Sequence, residues 1–233
     1  MTPELGRRLA AARAAKRPVV LATSLPDGQE LIWPDDSASP ALAEAASAAL
    51  DRDQSGTVRL ADGSMWMLAV HNPPLRLIVV GAVHAAQALV HMAVATGYAT
   101  IVIDPRRAFA TTERFPGIEL VHDWPDEAMD ALKPDTRTAV ITLTHDPKLD
   151  DPALDRALRS PAFHIGALGS RRTHARRLDR LRALGHDDAG LTRIKGPVGL
   201  DIGAVTAPEI ALSIMAEIVA VRRRAVERVA KAA

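Results

Sequence analysis

The stretch Leu75–Arg107, LRLIVVGAVHAAQALVHMAVATGYATIVIDPRR, constrains the fold more than any other part of the chain. A β-branched run, Leu77 to Val80, stops at Gly81. A helical pattern follows, with Ala85, Leu89, Met92 and Val94 on or near one face, and Gly97 closes it. A second apolar run, Thr100 to Ile103, ends at Asp104. Strand, tight turn, helix and strand make a βαβ unit, the opening half of a dinucleotide-type fold. Asp104 lies about 20 residues beyond Gly81, the interval at which an acidic residue meets a ribose hydroxyl. The turn itself, Gly81-Ala82-Val83-His84-Ala85-Ala86, departs from G-x-G-x-x-G/A. Val83 replaces the middle glycine, whose bare backbone lets a pyrophosphate approach. The pattern predicts the architecture and argues against ordinary NAD binding.

The flanking sequence extends this unit in both directions. Upstream, the spacing predicts a helix over 3–17, strands at Val19–Thr23 and Glu30–Trp33, a helix from Pro40 to Leu50, and strands at Thr57–Leu60 and Met65–Val70. This is a small α+β N-terminal region, residues 1–73, bounded by Asn72-Pro73-Pro74, since consecutive prolines suit neither a helix nor an interior strand. Downstream, strands are expected at Ile118–Val121, Thr138–Thr144 and Ala162–Ala167. Helices are expected at Asp126–Leu132, Asp151–Arg159 and Arg172–Leu184, and a long one opens at Pro208. Ile194 to Gly203 reads as an ordered loop. The fold class is α/β: residues 74–233 as a Rossmann-like parallel sheet with helices on both faces.

Composition narrows the function. Aromatic residues are 3% of the 233 and net charge is +1, so neither stacking platforms nor a basic surface points to nucleic acid or membrane. The absence of cysteine excludes disulfides, thiolate metal sites and a persulfide relay through this chain. No apolar run reaches the roughly 20 residues of a membrane span, and the arginine-bearing N-terminus lacks a signal-peptide core. A cytoplasmic protein is expected.

In a doubly wound sheet, ligands bind beyond the carboxyl ends of the strands. Gly81 to His84, Asp104 to Arg107, Thr144 to Asp146 and Gly166 to Arg172 all fall at expected strand ends. GALGSRR, with Gly166, Gly169, Ser170 and Arg171 ahead of a helix, offers free N–H groups and guanidiniums to a phosphate; a serine-capped helix with surface arginines is the alternative. Arg172, Arg176 and Arg180 share one helical face and read as solvated. His145-Asp146-Pro147-Lys148-Leu149-Asp150-Asp151 could donate metal ligands or a general base from His145 and Asp146; an acidic first helical turn explains Asp150 and Asp151. His84 stands at a helix start, as ligand contact or as local cap. Asp201 sits in GPVGLDIGA, whose glycines imply close backbone approach to ligand or protein. No residue is singled out as catalytic, and no metal site is assigned.

Taken together, VVGAVHAAQAL, VIDPRRAFATTERFPG, LTHDPKLDDPAL, IGALGSRRTHARRL and GPVGLDIGAVTAPEIALSIMAEI resemble the XdhC/CoxI family, accessory proteins of molybdenum hydroxylases such as xanthine dehydrogenase and carbon monoxide dehydrogenase. The resemblance runs over residues 75–224. It implies a Rossmann-like domain, a homodimer, and a maturation protein or chaperone that binds molybdenum cofactor (molybdopterin or its cytosine dinucleotide form) and delivers it to the hydroxylase apoenzyme, with a cysteine desulfurase as a further partner. Gly81, His84, Asp104, Arg106, His145, Asp146, Gly166, Gly169, Ser170, Arg171 and Asp201 are the candidate cofactor-binding residues. Val83 stands where the family turn carries a second glycine. The alternative is an NAD(P)-dependent oxidoreductase on the same domain, which Asp104 favours and Val83 opposes; a third reading is an interaction scaffold with a defunct pocket.

Overall fold

In the computed structural model, which describes residues 2–232 and side chains as far as Arg223, the chain divides into two compact units. One comprises the residues up to Pro73 with the end of the chain from Arg223, the other Pro74–Arg222. In the first, α1 (Pro3–Ala14) and α2 (Pro40–Arg52) accompany four antiparallel strands, β1 (Val19–Ser24), β2 (Glu30–Trp33), β3 (Gly56–Arg59) and β4 (Met65–His71), in the order β2-β1-β4-β3. Alternation along β1 sends Val20 and Ala22 to a core with Leu42, Ala46 and Ala49 of α2, and Val19 to one with Leu5, Leu9 and Ala12 of α1. Each helix opens with a hydroxyl cap followed by proline, Thr2-Pro3 and Ser39-Pro40.

The second unit is a six-stranded, wholly parallel sheet: β5 (Arg76–Val80), β6 (Ala99–Ile103), β7 (Glu119–Val121), β8 (Thr138–Thr142), β9 (His164–Ala167) and β10 (Ile194–Lys195), ordered β10-β9-β8-β5-β6-β7. The central strands are apolar on both faces because helices cover both. Leu77 and Val79 join the α3 (His84–Ala95) side chains Leu89 and Val90, with Ile214 and Ile218 of α8 (Ala207–Ala232). Ile78 and Val80 point the other way, toward Met129 of α4 (Pro125–Leu132), Leu154 and Leu158 of α5 (Pro147–Arg159), and Leu181 of α6 (Arg171–Ala183). This is the α/β architecture the sequence predicts.

Details differ from the expected boundaries. Strand β8 stops at Thr142, and α5 starts at Pro147, one turn before the expected Asp151, because Asp146 caps it and Pro147 takes its first position. Pro152 consequently lies inside the helix. The segment read as a loop from Ile194 contains β10, two residues paired in parallel with Ile165 and Gly166, and a one-turn helix, α7 (Asp188–Leu191), precedes it. Among the described residues, no helix is long and apolar enough to cross a membrane.

Candidate functional site at the carboxyl edge of the parallel sheet

The strand order reverses between β5 and β8, whose chains continue outward in opposite directions, and parallel strands put every following loop on one edge. Val80 is level with Ile103 of β6 and with Thr142 of β8, so the three central loops leave the sheet at the same height. Their contacts form a continuous rim. Gly81, at φ +108°, lies so close to the β8 loop that a Cβ there would fall 2.3 Å from Thr144 Cγ2; only glycine takes both that dihedral and that approach. The next amide, Ala82, donates to Asp104 Oδ2 at 2.8 Å. On the other side, a Cβ on Gly169 would stand 3.2 Å from Thr173 Cγ2 and 3.7 Å from His145 Nδ1.

Asp104 is completely buried. Oδ1 accepts from the Arg106 backbone amide and Nε, and Oδ2 accepts from Arg106 Nη2 as well as from Ala82. Burial alone would push this carboxyl up; the hydrogen bonds from Arg106 and the two amides outweigh it and hold it below the usual range. A carboxylate so occupied fastens the second strand to the turn and has no oxygen facing a ribose. Arg106 in turn lies over the Phe109 ring, 4.7 Å from its centroid. Arg114 donates to the carbonyls of Ala82 and Phe109, bracing the turn from outside.

The β8 loop is organised by a residue expected only to complement a helix dipole. Asp150, 1% exposed, accepts from the Thr144 hydroxyl at 2.6 Å, the Thr144 amide at 3.3 Å and the His145 amide at 3.2 Å. That grip holds His145 at φ +62°, a left-handed conformation that costs a non-glycine residue about 1–3 kcal/mol. Arg177, likewise 1% exposed, gives Nη2 to Asp150 at 3.3 Å and to the Leu168 carbonyl at 2.9 Å. Its Nε and Nη1 are buried without a partner among the described residues. Burial dominates at Asp150 and pushes its carboxyl up despite these partners. Arg177 escaped notice because it adjoins a run of solvated arginines. The available signal was its i, i+4 spacing from Leu181, which puts a charge in the apolar stripe of α6.

The remaining candidates have distinct placements. Ser170 caps α6, accepting from the Thr173 amide at 3.1 Å, so its oxygen is engaged with protein. Arg171 and Arg172, both exposed, have no ion-pair partner among the described residues. His84 is exposed at the first position of α3, whose first turn has no side-chain cap. Asp146 is a cap, accepting from the Lys148 amide. Gly166 lies within β9, where a Cβ would come 2.4 Å from Val198 Cγ2 and 2.8 Å from Ile141 Cδ1, so its bareness serves packing. Asp201 is exposed in the loop after β10. The close approach in that loop is to protein: a Cβ on Gly199 would meet Ser213 Oγ at 2.4 Å. Among the described residues, no group of three or more His, Asp or Glu is placed to hold a metal ion.

A doubly wound sheet with its loops joined at the switch point defines a Rossmann-type ligand-binding domain. The profile of the XdhC Rossmann domain matches residues 77–218, and the chain belongs to that family. Over 150 residues it is 37% identical to a molybdenum cofactor insertion chaperone, PaoD, of Escherichia coli K12, covering 64% of this chain and 41% of that protein. Over 153 residues it is 33% identical to a probable subunit of the xanthine dehydrogenase of Bacillus subtilis 168, covering 65% of this chain and 44% of that one. The chain thus spans less than half the length of these relatives. A crystal structure described as a xanthine dehydrogenase from Bacillus halodurans superposes with a TM-score of 0.72 at 22% identity, over 95% of this chain and 67% of that one, a likeness of fold.

Proposed function

We propose that this chain is a maturation protein that binds molybdenum cofactor and assists its insertion into a molybdenum hydroxylase of the xanthine dehydrogenase type. The observation carrying the reading is the 37% identity to a molybdenum cofactor insertion chaperone, within a Rossmann-type domain whose strand-end loops meet in one rim. The chemistry fits the phosphate end of such a cofactor. The first turn of α3 has no side-chain cap, and Arg171 carries no ion pair among the described residues, so N–H groups and a guanidinium remain for an anion. His84, His145, Arg171 and Asp201 are assigned to direct contact. Gly81, Asp104, Arg106, Asp146, Gly166, Gly169 and Ser170 act as positioning residues that set the shape of the rim. The cofactor supplies the molybdenum and its redox chemistry; the chain's part is to hold, shield and release it. The partners are a hydroxylase apoenzyme and a second copy of the chain, with a cysteine desulfurase docking separately, because this chain has no thiol of its own.

The deciding experiment is titration of the purified protein with molybdenum cofactor, followed by transfer to an apo-hydroxylase. Saturable binding and recovery of hydroxylase activity are expected; absence of saturable binding refutes the proposal. Arg171→Ala is expected to weaken binding by about 1.5–3 kcal/mol, the loss of one charged hydrogen bond, and equal affinities would remove Arg171 from the site. The oxidoreductase alternative loses its chief support in Asp104, whose oxygens are committed to Ala82 and Arg106.

A further inference from the structure

We propose that the cavity beneath the start of α6 is a deep oxyanion site that takes the terminal phosphate monoester of a ligand held on the rim. The identity of that ligand rests on the function proposed above; the site itself rests on Arg177. The cavity has a volume of ≈ 180 Å³ and is lined by His145, Asp150, Thr173, Arg176, Arg177 and Arg180. Within it, Arg177 is 1% exposed and only its Nη2 is bonded. Nε carries one N–H and Nη1 two, and neither nitrogen has a partner among the described residues. A buried charged donor left unpaired is among the costliest arrangements in a folded protein. It persists where something outside the chain supplies the acceptors.

The charges around the cavity say what that something is. Asp151 is neutralised by Arg180, whose Nη2 donates to it at 3.0 Å. Asp150 is engaged by Arg177, Thr144 and His145. Arg176 is exposed and has no ion-pair partner among the described residues. Three guanidiniums therefore face two carboxylates, and the surplus is positive. A cation or an apolar group would leave Arg177 unpaired, whereas a tetrahedral oxyanion presents several acceptors in the geometry a guanidinium matches. The volume is below the roughly 300 Å³ at which pockets begin to enclose whole organic ligands, so a ligand's end fits and its body does not. Thr173 ties the cavity to the rim: its methyl packs against Gly169, and its amide is already bonded to Ser170. The seat is therefore separate from the helix terminus.

Titration calorimetry of the full chain with inorganic phosphate tests this. One saturable site is expected. Arg176→Ala should weaken it about tenfold or more with the melting temperature unchanged, since that side chain is exposed. Arg177→Lys, which keeps the charge and loses the planar donors, should weaken it at least as much. Should that variant fail to fold, Arg176→Ala and Thr173→Val carry the test alone. Absence of saturable phosphate binding overturns the proposal. So does binding that Arg176→Ala leaves untouched, or that Arg171→Ala alone abolishes. The two proposals fail separately. Cofactor binding without phosphate binding removes the cavity and leaves the chaperone reading. Phosphate binding without cofactor binding leaves the cavity as a site for another phosphorylated ligand.

Discussion

Asp104 and Asp150 occupy comparable buried positions at the ends of neighbouring loops, yet they titrate in opposite directions. At Asp104 the Arg106 guanidinium and two amides more than offset burial, and its folded-state pKa lies below the ordinary 3.8. Its contribution to stability is complete above that value and is lost as pH falls through the folded pKa. At Asp150 burial wins, so the folded protein holds that proton more tightly. Its contribution is present below 3.8 and is lost as pH rises through the folded pKa. Melting temperature followed into acid should separate the two. Asp104→Asn is expected to flatten the acid limb and Asp150→Asn to steepen it; parallel limbs for both variants would contradict the assignment. Asp150→Ala is a different experiment. It strands the Thr144 and His145 amides and a buried guanidinium, and should destabilise by about 3–5 kcal/mol in denaturant unfolding.

At the scale of elements, the turn between β5 and α3 carries the strictest demand, since Gly81 combines a positive φ with contact to Thr144. Gly81→Ala is expected to cost about 2–4 kcal/mol, backbone strain and overpacking together, read as a lowered unfolding midpoint. Val83, two residues on, is half-buried against the core with extended backbone, where glycine is not required. With the phosphate seated beneath α6, Val83→Gly should leave phosphate affinity unchanged. A marked gain would mean that the native valine blocks a seat at α3. The central strands β5, β6 and β8 were legible in sequence because continuous β-branched runs bounded by glycine or a polar residue leave few alternatives. The two-residue β10 was not, since no periodicity exists over that length. The start of α5 was misplaced because Pro152 resembles a first-turn proline while Asp146-Pro147 supplies the true one. The rim glycines could be located in sequence but not sorted. Gly81 and Gly166 look alike in a string of letters, and only the neighbours of their absent side chains separate loop contact from sheet packing. Arg177 stayed hidden because burial of a charge depends on partners far apart in the chain, Asp150 and Leu168 here.

At the scale of the whole molecule, the two units differ in how they are stabilised. The sheet of Pro74–Arg222 is clothed on both faces by separate apolar clusters, one centred on Leu89, Ile141 and Ile214, the other on Ile103, Leu154 and Ile165. Every residue of both clusters falls inside that unit, and so do all the residues lining the proposed phosphate cavity. The four-stranded sheet of the first unit has its own cores around Leu42 and Leu9. A chain trimmed to residues 74–222 therefore keeps both of these clusters whole. With about 150 residues it lies in the size range where single domains unfold in one cooperative step. Such a chain is expected to give a single denaturant transition and to bind inorganic phosphate with the affinity of the full protein. Its oligomeric state, measured by sedimentation, would then show which unit carries the proposed self-association. A dimer that survives trimming places the contact on the Rossmann-type unit, and a monomer places it on the first. A trimmed chain that fails to fold cooperatively would mean that the cores of the two units depend on one another energetically, although they share no buried side chain.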